Sequence, residues 1–78
     1  MNINEGKRVR VALGGYDGEA GFVEHDGTAS LAVQTAALRL SPGETVEVDG
    51  RQWTVEKVAP SKFLRGFKVV DLRLKEEA

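Results

Sequence analysis

The sequence contains no cysteine and a single histidine, His25, among its 78 residues. The missing thiols exclude disulfide staples, thiolate zinc sites and cysteine nucleophiles together, and they fit a reducing compartment. Aromatic residues make up only 6% of the chain, so Trp53, Tyr16 and three phenylalanines must supply the bulky part of any core. No apolar run approaches the roughly 18 residues a membrane span requires, and the opening Met1-Asn2-Ile3-Asn4-Glu5-Gly6 is too polar for a secretion signal. Charge of one sign is also missing: 11 basic against 12 acidic side chains leave a formal charge of -1, so no overall field draws the chain to nucleic acid or an anionic membrane.

A hydrophobic content of 41% places the chain with folded globular proteins. A domain of about 60 residues buries only about 60% of its unfolded surface. One thin core is therefore expected, in a single domain over 1–78 with a flexible 1–6 and a frayed 75–78. With disulfides and metal excluded, neighbouring subunits are the remaining source of added stability.

Period-two alternation dominates, and it sends every second side chain to one face of a strand. In Lys7-Arg8-Val9-Arg10-Val11-Ala12-Leu13 the apolar Val9, Val11 and Leu13 oppose Arg8 and Arg10. Gly14 to Gly21 holds four glycines in eight residues and is expected to be a loop with Tyr16 at its tip. Phe22 and Val23 begin a short strand ended by Glu24-His25-Asp26-Gly27. Leu31, Val33 and Thr35 mark another, although Thr35 to Leu40 could instead carry a helical turn, and Ser41-Pro42-Gly43 stops either.

The clearest signal is Glu44 to Val55, two alternating runs joined by Asp49-Gly50. A two-residue type I′ turn there sets Val48 opposite Arg51, Val46 opposite Trp53 and Glu44 opposite Val55. Val46, Val48, Trp53 and Val55 then share the core face. The phase slips after Val55, which predicts a bulge or the strand's end before Ala59-Pro60. A last strand from Phe67 to Leu74 directs Val70, Leu72 and Leu74 inward. The expected fold is all-β: a small, mainly antiparallel barrel or sandwich of about five to six strands with long hairpin loops.

Little of this points to catalysis. His25 lies between Glu24 and Asp26, but adjacent strand residues face opposite ways, so a solvated turn histidine is expected rather than a metal ligand or base. The glycine-rich stretch lacks the lysine and hydroxyl residue of a phosphate loop. Ser30, Ser41 and Ser61 would need a base in hydrogen-bond reach, and the sole histidine has no glycine-flanked serine elbow to serve. No enzyme activity, cofactor or metal is expected. Ser61-Lys62-Phe63-Leu64-Arg65-Gly66-Phe67-Lys68 differs from its surroundings, with three positive charges, no negative ones and two aromatics. The bland reading folds Phe63 and Phe67 into the core beneath solvated lysines. The sharper one makes Lys62, Phe63, Leu64, Arg65, Phe67 and Lys68, with Tyr16, a contact surface, because aromatics and arginine dominate interface energetics. The same mixture can stack bases and meet phosphates.

The order of parts resembles the lambda-like family of phage head-tail joining proteins. There a V-x-T-x-x-L strand, here Val33 to Leu38, precedes a hairpin of the form G-(D/E)-x-V-x-V-D-G-x-x-(Y/W)-x-V, here Gly43 to Val55. A loop and a V-x-L-x-L strand, here Val70 to Leu74, follow. The likeness covers Leu31 to Leu74; the short N-terminal region and the basic, aromatic loop depart from it. The resemblance implies a β-barrel-like fold, assembly into a homo-oligomeric ring between portal or adaptor and tail-tube proteins, a place in the virion after assembly in the bacterial cytoplasm, and no catalysis. The alternative expectation is a nucleic-acid-binding barrel that uses 61–68; a weaker third is an accessory lending a β-surface to a larger complex.

Overall fold

Six antiparallel strands form in the computed structural model, which describes residues 6–35, 38–62 and 65–75. They are β1 (Lys7–Leu13), β2 (Tyr16–His25), β3 (Thr28–Gln34), β4 (Thr45–Val48), β5 (Arg51–Pro60) and β6 (Phe67–Leu74). The sheet order is β1-β2-β3-β6-β5-β4, so two three-stranded meanders join through β3 and β6. The sheet curls until its end strands β1 and β4 lie against each other, giving a nearly closed barrel of the expected all-β class.

The Asp49-Gly50 hairpin has the anticipated register. Val48 pairs with Arg51 and Val46 with Trp53, and Glu44 O accepts from Val55 N at 2.8 Å. Asp49 and Gly50 adopt φ of 57° and 80°, the two positive values a type I′ turn demands. Asp26-Gly27 repeats the device at 58° and 84°, joining β2 to β3 with His25 opposite Thr28.

The phase slip after Val55 is a bulge. Val55 pairs with Leu72 and Lys57 with Asp71, leaving Glu56 as the extra residue. The insertion turns Lys57 outward beside Asp71 and returns Val58 to the core side, opposite Val70. The strand runs on to Pro60.

The glycine-rich stretch corrects the sequence reading. Only Gly14-Gly15 turns; from Tyr16 to His25 the chain is a ten-residue strand, so most of the expected loop from Gly14 to Gly21 and the short strand at Phe22 are one element. Ala20 and Phe22 point inward, and β1 pairs along the glycine-rich half from Leu13↔Tyr16 to Lys7↔Phe22. Pairing with β1 overrides the weak strand preference of Gly18 and Gly21. Thr35 and Leu38 to Leu40 are not helical; Ala36 and Ala37 lie outside the described residues. Of the termini, Lys75 is held to the sheet by its amide, which donates to Gln52 O at 3.0 Å.

The core draws on every strand. Trp53, Leu31, Val33 and Val70 are fully buried, with Phe22, Val11, Val48, Val55 and Leu72 close to it. Phe22 and Trp53 meet edge to face, ring centres 5.6 Å apart at 74°, which joins the two meanders through the barrel interior. Such a pair contributes about 0.5–1.5 kcal/mol beyond its area. The indole N–H donates to Val48 O at 3.2 Å, so the one polar atom of this side chain has a partner inside its own hairpin.

Between β3 and β4 the chain crosses the barrel end that carries the β1–β2 turn. Arg39 N donates to Gly14 O at 2.7 Å, and Leu38 and Leu40 pack on the core. A Cβ at Gly14 would lie 1.9 Å from Arg39 O. Glycine is needed there for close approach of two backbones.

Three outcomes follow for urea denaturation. Trp53→Ala should cost about 3–5 kcal/mol, a large part of a small domain's total stability. Gly14→Ala should cost about 1–3 kcal/mol by forcing the crossing segment away, whereas Gly21→Ala should leave the midpoint unchanged or raise it, because a Cβ at Gly21 meets only the Ala32 Cβ at 3.7 Å.

Candidate interaction surfaces

Strand directions sort the surface into two ends. The β1–β2 turn, the β3–β4 crossing and the β5–β6 loop share one end; the Asp26-Gly27 and Asp49-Gly50 turns share the other. All the sequence-predicted contact residues that are described lie at the first end. Lys62 and Arg65 are exposed in the β5–β6 loop, and Phe67 and Lys68 are half-buried at the start of β6. Phe63 and Leu64 lie outside the described residues. Ser61 N donates to Phe67 O at 2.9 Å, closing the loop at its base.

Tyr16 begins β2, so it stands beside a tight turn rather than at the tip of a long loop. Its hydroxyl donates to Glu19 O at 2.5 Å, and its ring lies over Gly18 and against the core. The structure therefore places Tyr16 at the same end as the basic loop but commits its hydroxyl to its own strand.

His25 is exposed at the end of β2. Glu24 is ion-paired with Arg51, which also lies over the Trp53 ring with its guanidinium carbon 5.0 Å from the ring centre. Glu24 is thus engaged with the β4–β5 hairpin rather than with its neighbour His25. Among the described residues no three His, Asp or Glu side chains are placed to share an ion. Ser30 donates to Asp71 at 3.2 Å.

A surface the alternation reading passes over lies outside the barrel. Gly21, Ala32 and Val69 are aligned across β2, β3 and β6, with Val23 in the next row, exposed to 45%. They floor a groove of about 410 Å³, edged by Lys7 and Ser30. A second hollow of about 280 Å³ shares Gly21 and Ala32 and reaches Gln34 and Phe67. The sequence signal is the run of consecutive apolar residues, Phe22-Val23, Leu31-Ala32-Val33 and Val69-Val70, which makes both faces of these strands apolar.

Charge is paired across the surface. Arg8 meets Glu19 at 3.3 Å, Arg10 meets Asp17 at 3.7 Å and Arg73 meets Glu56 at 2.7 Å. Exposed pairs of this kind contribute little to stability. Lys7 and Asp49, 2.7 Å apart, differ in position because they bridge β1 to the β4–β5 turn. The hydrogen bond and charge of Lys7, helped by Arg51, hold the Asp49 carboxyl below its ordinary value. A depressed carboxyl stabilises the fold above its unfolded-state pKa, and that contribution is lost as pH falls through the folded value. Asp49→Asn keeps a residue suited to the type I′ turn but removes the charge. Acid titration of stability should therefore fall less steeply below pH 4 in Asp49→Asn than in the parent, and an identical acid limb would show that the pair contributes nothing.

Neither a protein-family model, nor a curated protein, nor a solved structure matches this chain.

Proposed function

We propose that this chain is a virion structural subunit of the phage head-tail junction, joining a ring between portal or adaptor and tail-tube proteins through protein contacts. The observation that carries the reading is the ordered motif from Val33 to Leu74, whose hairpin supplies the core tryptophan of a small β-barrel, the architecture the resemblance implies. Physical chemistry supports a subunit role. The core is thin and has no staple, and contacts made only by the folded state shift its equilibrium toward folding. The barrel also collects its crossing segment and its basic loop at one end, where a neighbouring ring would dock.

The contact residues in this reading are Tyr16, Lys62, Phe63, Leu64, Arg65, Phe67 and Lys68, whereas Val46, Val48, Asp49, Gly50, Trp53 and Val55 hold the frame. A second reading rests on the same end of the barrel. Lys62, Arg65, Phe67 and Lys68 combine positive charge with an aromatic ring, the ingredients of a single-strand contact.

Particle composition separates the two. Purified phage particles encoded with this chain should contain it at the neck by electron microscopy, and otherwise complete particles lacking it would remove the structural reading. A gel-shift salt series should show no retardation even at about 50 mM salt; binding that weakens steeply with salt would favour the nucleic-acid reading instead.

A further inference from the structure

The hydrogen-bonded order ends on β1 and β4, which touch but share no ladder. Along this seam, among the described residues, the barrel is closed by side chains rather than by a strand ladder. The most exposed members of the core lie on the two strands that form it: Val9 at 8%, Leu13 at 9% and Val46 at 9%, against 0% for Leu31, Val33 and Val70 on the paired strands β3 and β6.

The two edges carry opposite charge. Lys7, Arg8 and Arg10 lie on β1, while Glu47 lies on β4 with Glu44 just before it and Asp49 just after. Within the chain, Lys7 meets Asp49 across the seam. Arg8 and Arg10 turn away to β2, at 3.3 and 3.7 Å from their partners. Successive antiparallel pairings around the sheet leave β1 and β4 running antiparallel to each other.

We propose that the β1 edge of one copy pairs with the β4 edge of a second copy, the seam opening so that the Lys7–Asp49 contact re-forms between chains beside a backbone ladder. Open strand edges are templates for such pairing. Symmetric contacts, β1 on β1 or β4 on β4, could not re-form the Lys7–Asp49 pair, which favours the unlike pairing. Because two different edges are used, each added copy exposes a further edge, and assembly continues until a ring closes or a filament grows. The gain over the closed chain is the ladder. The cost is loss of an intramolecular contact, whose effective concentration is roughly millimolar, so pairing between chains is favoured where subunits are held close together.

This inference rests on the subunit-assembly reading, and its test separates the two. The parent has no cysteine, so thiols introduced at Lys7 and Asp49 are the only ones. A short bismaleimide reagent applied to an equimolar mixture of Lys7→Cys and Asp49→Cys chains should give a cross-linked species of twice the 8.5 kDa subunit mass, several-fold more than either chain gives alone. The double variant, cross-linked within one chain, should stay at monomer mass where the uncross-linked chain assembles, with its tryptophan emission unchanged as a check on folding. A mixture that gives no more cross-linked dimer than either chain alone at about millimolar concentration, or a locked chain that assembles as readily as the unlocked one, overturns the proposal. A chain found in particles whose locked form still assembles removes the seam alone; cross-linking between chains by a protein absent from particles removes the head-tail reading alone.

Discussion

Trp53 against Phe22 is the contact on which the barrel depends. Trp53 belongs to the β4–β5 hairpin and Phe22 to the β1–β2–β3 meander, so their edge-to-face packing joins two halves that are otherwise laddered only through β3 and β6. In a chain with few aromatics these two rings fill space that aliphatic residues cannot. The indole N–H bond to Val48 O and the Arg51 guanidinium over the ring hold the tryptophan to its own hairpin. Asp49-Gly50 matters through this contact, because the turn sets the register that delivers Trp53 to the interior.

Where one face of a strand is buried and the other wet, the fold was legible from residues alone. The hairpin register, the inward set Val46, Val48, Trp53 and Val55, the phase slip after Val55 and the last strand all follow from period-two alternation plus one turn signal, and the structure resolves the slip as a bulge rather than the strand's end. The glycine-rich half of β2 was not legible. Gly18 and Gly21 have no side chain to declare a phase, and their strand state comes from pairing with β1. Asp26-Gly27 forms the same turn as Asp49-Gly50, but it hides among polar residues where His25 draws attention first. The close approach of Arg39 to Gly14 links segments distant in sequence and leaves no local trace.

The candidate surfaces divide in the same way. The basic loop was legible as a cluster of charge and aromatics, and the topology gathers its described residues with Tyr16 at one end. The outer groove and the β1–β4 seam were not, since both depend on which strands become neighbours. In sequence, Arg8 and Arg10 only mark the face of β1 opposite Val9, Val11 and Leu13. Only the sheet order reveals that this basic edge confronts an acidic one. In the proposed assembly, the two strands that the barrel brings together by side chains are the edges that a second copy uses.

The Trp53–Phe22 contact is most directly tested by proton NMR. Strong nuclear Overhauser effects between the Trp53 indole and the Phe22 ring are predicted, since protons within about 5 Å communicate in this way and the ring centres lie 5.6 Å apart. A folded protein that shows no such effect, with the indole N–H exchanging freely with water, would contradict the account.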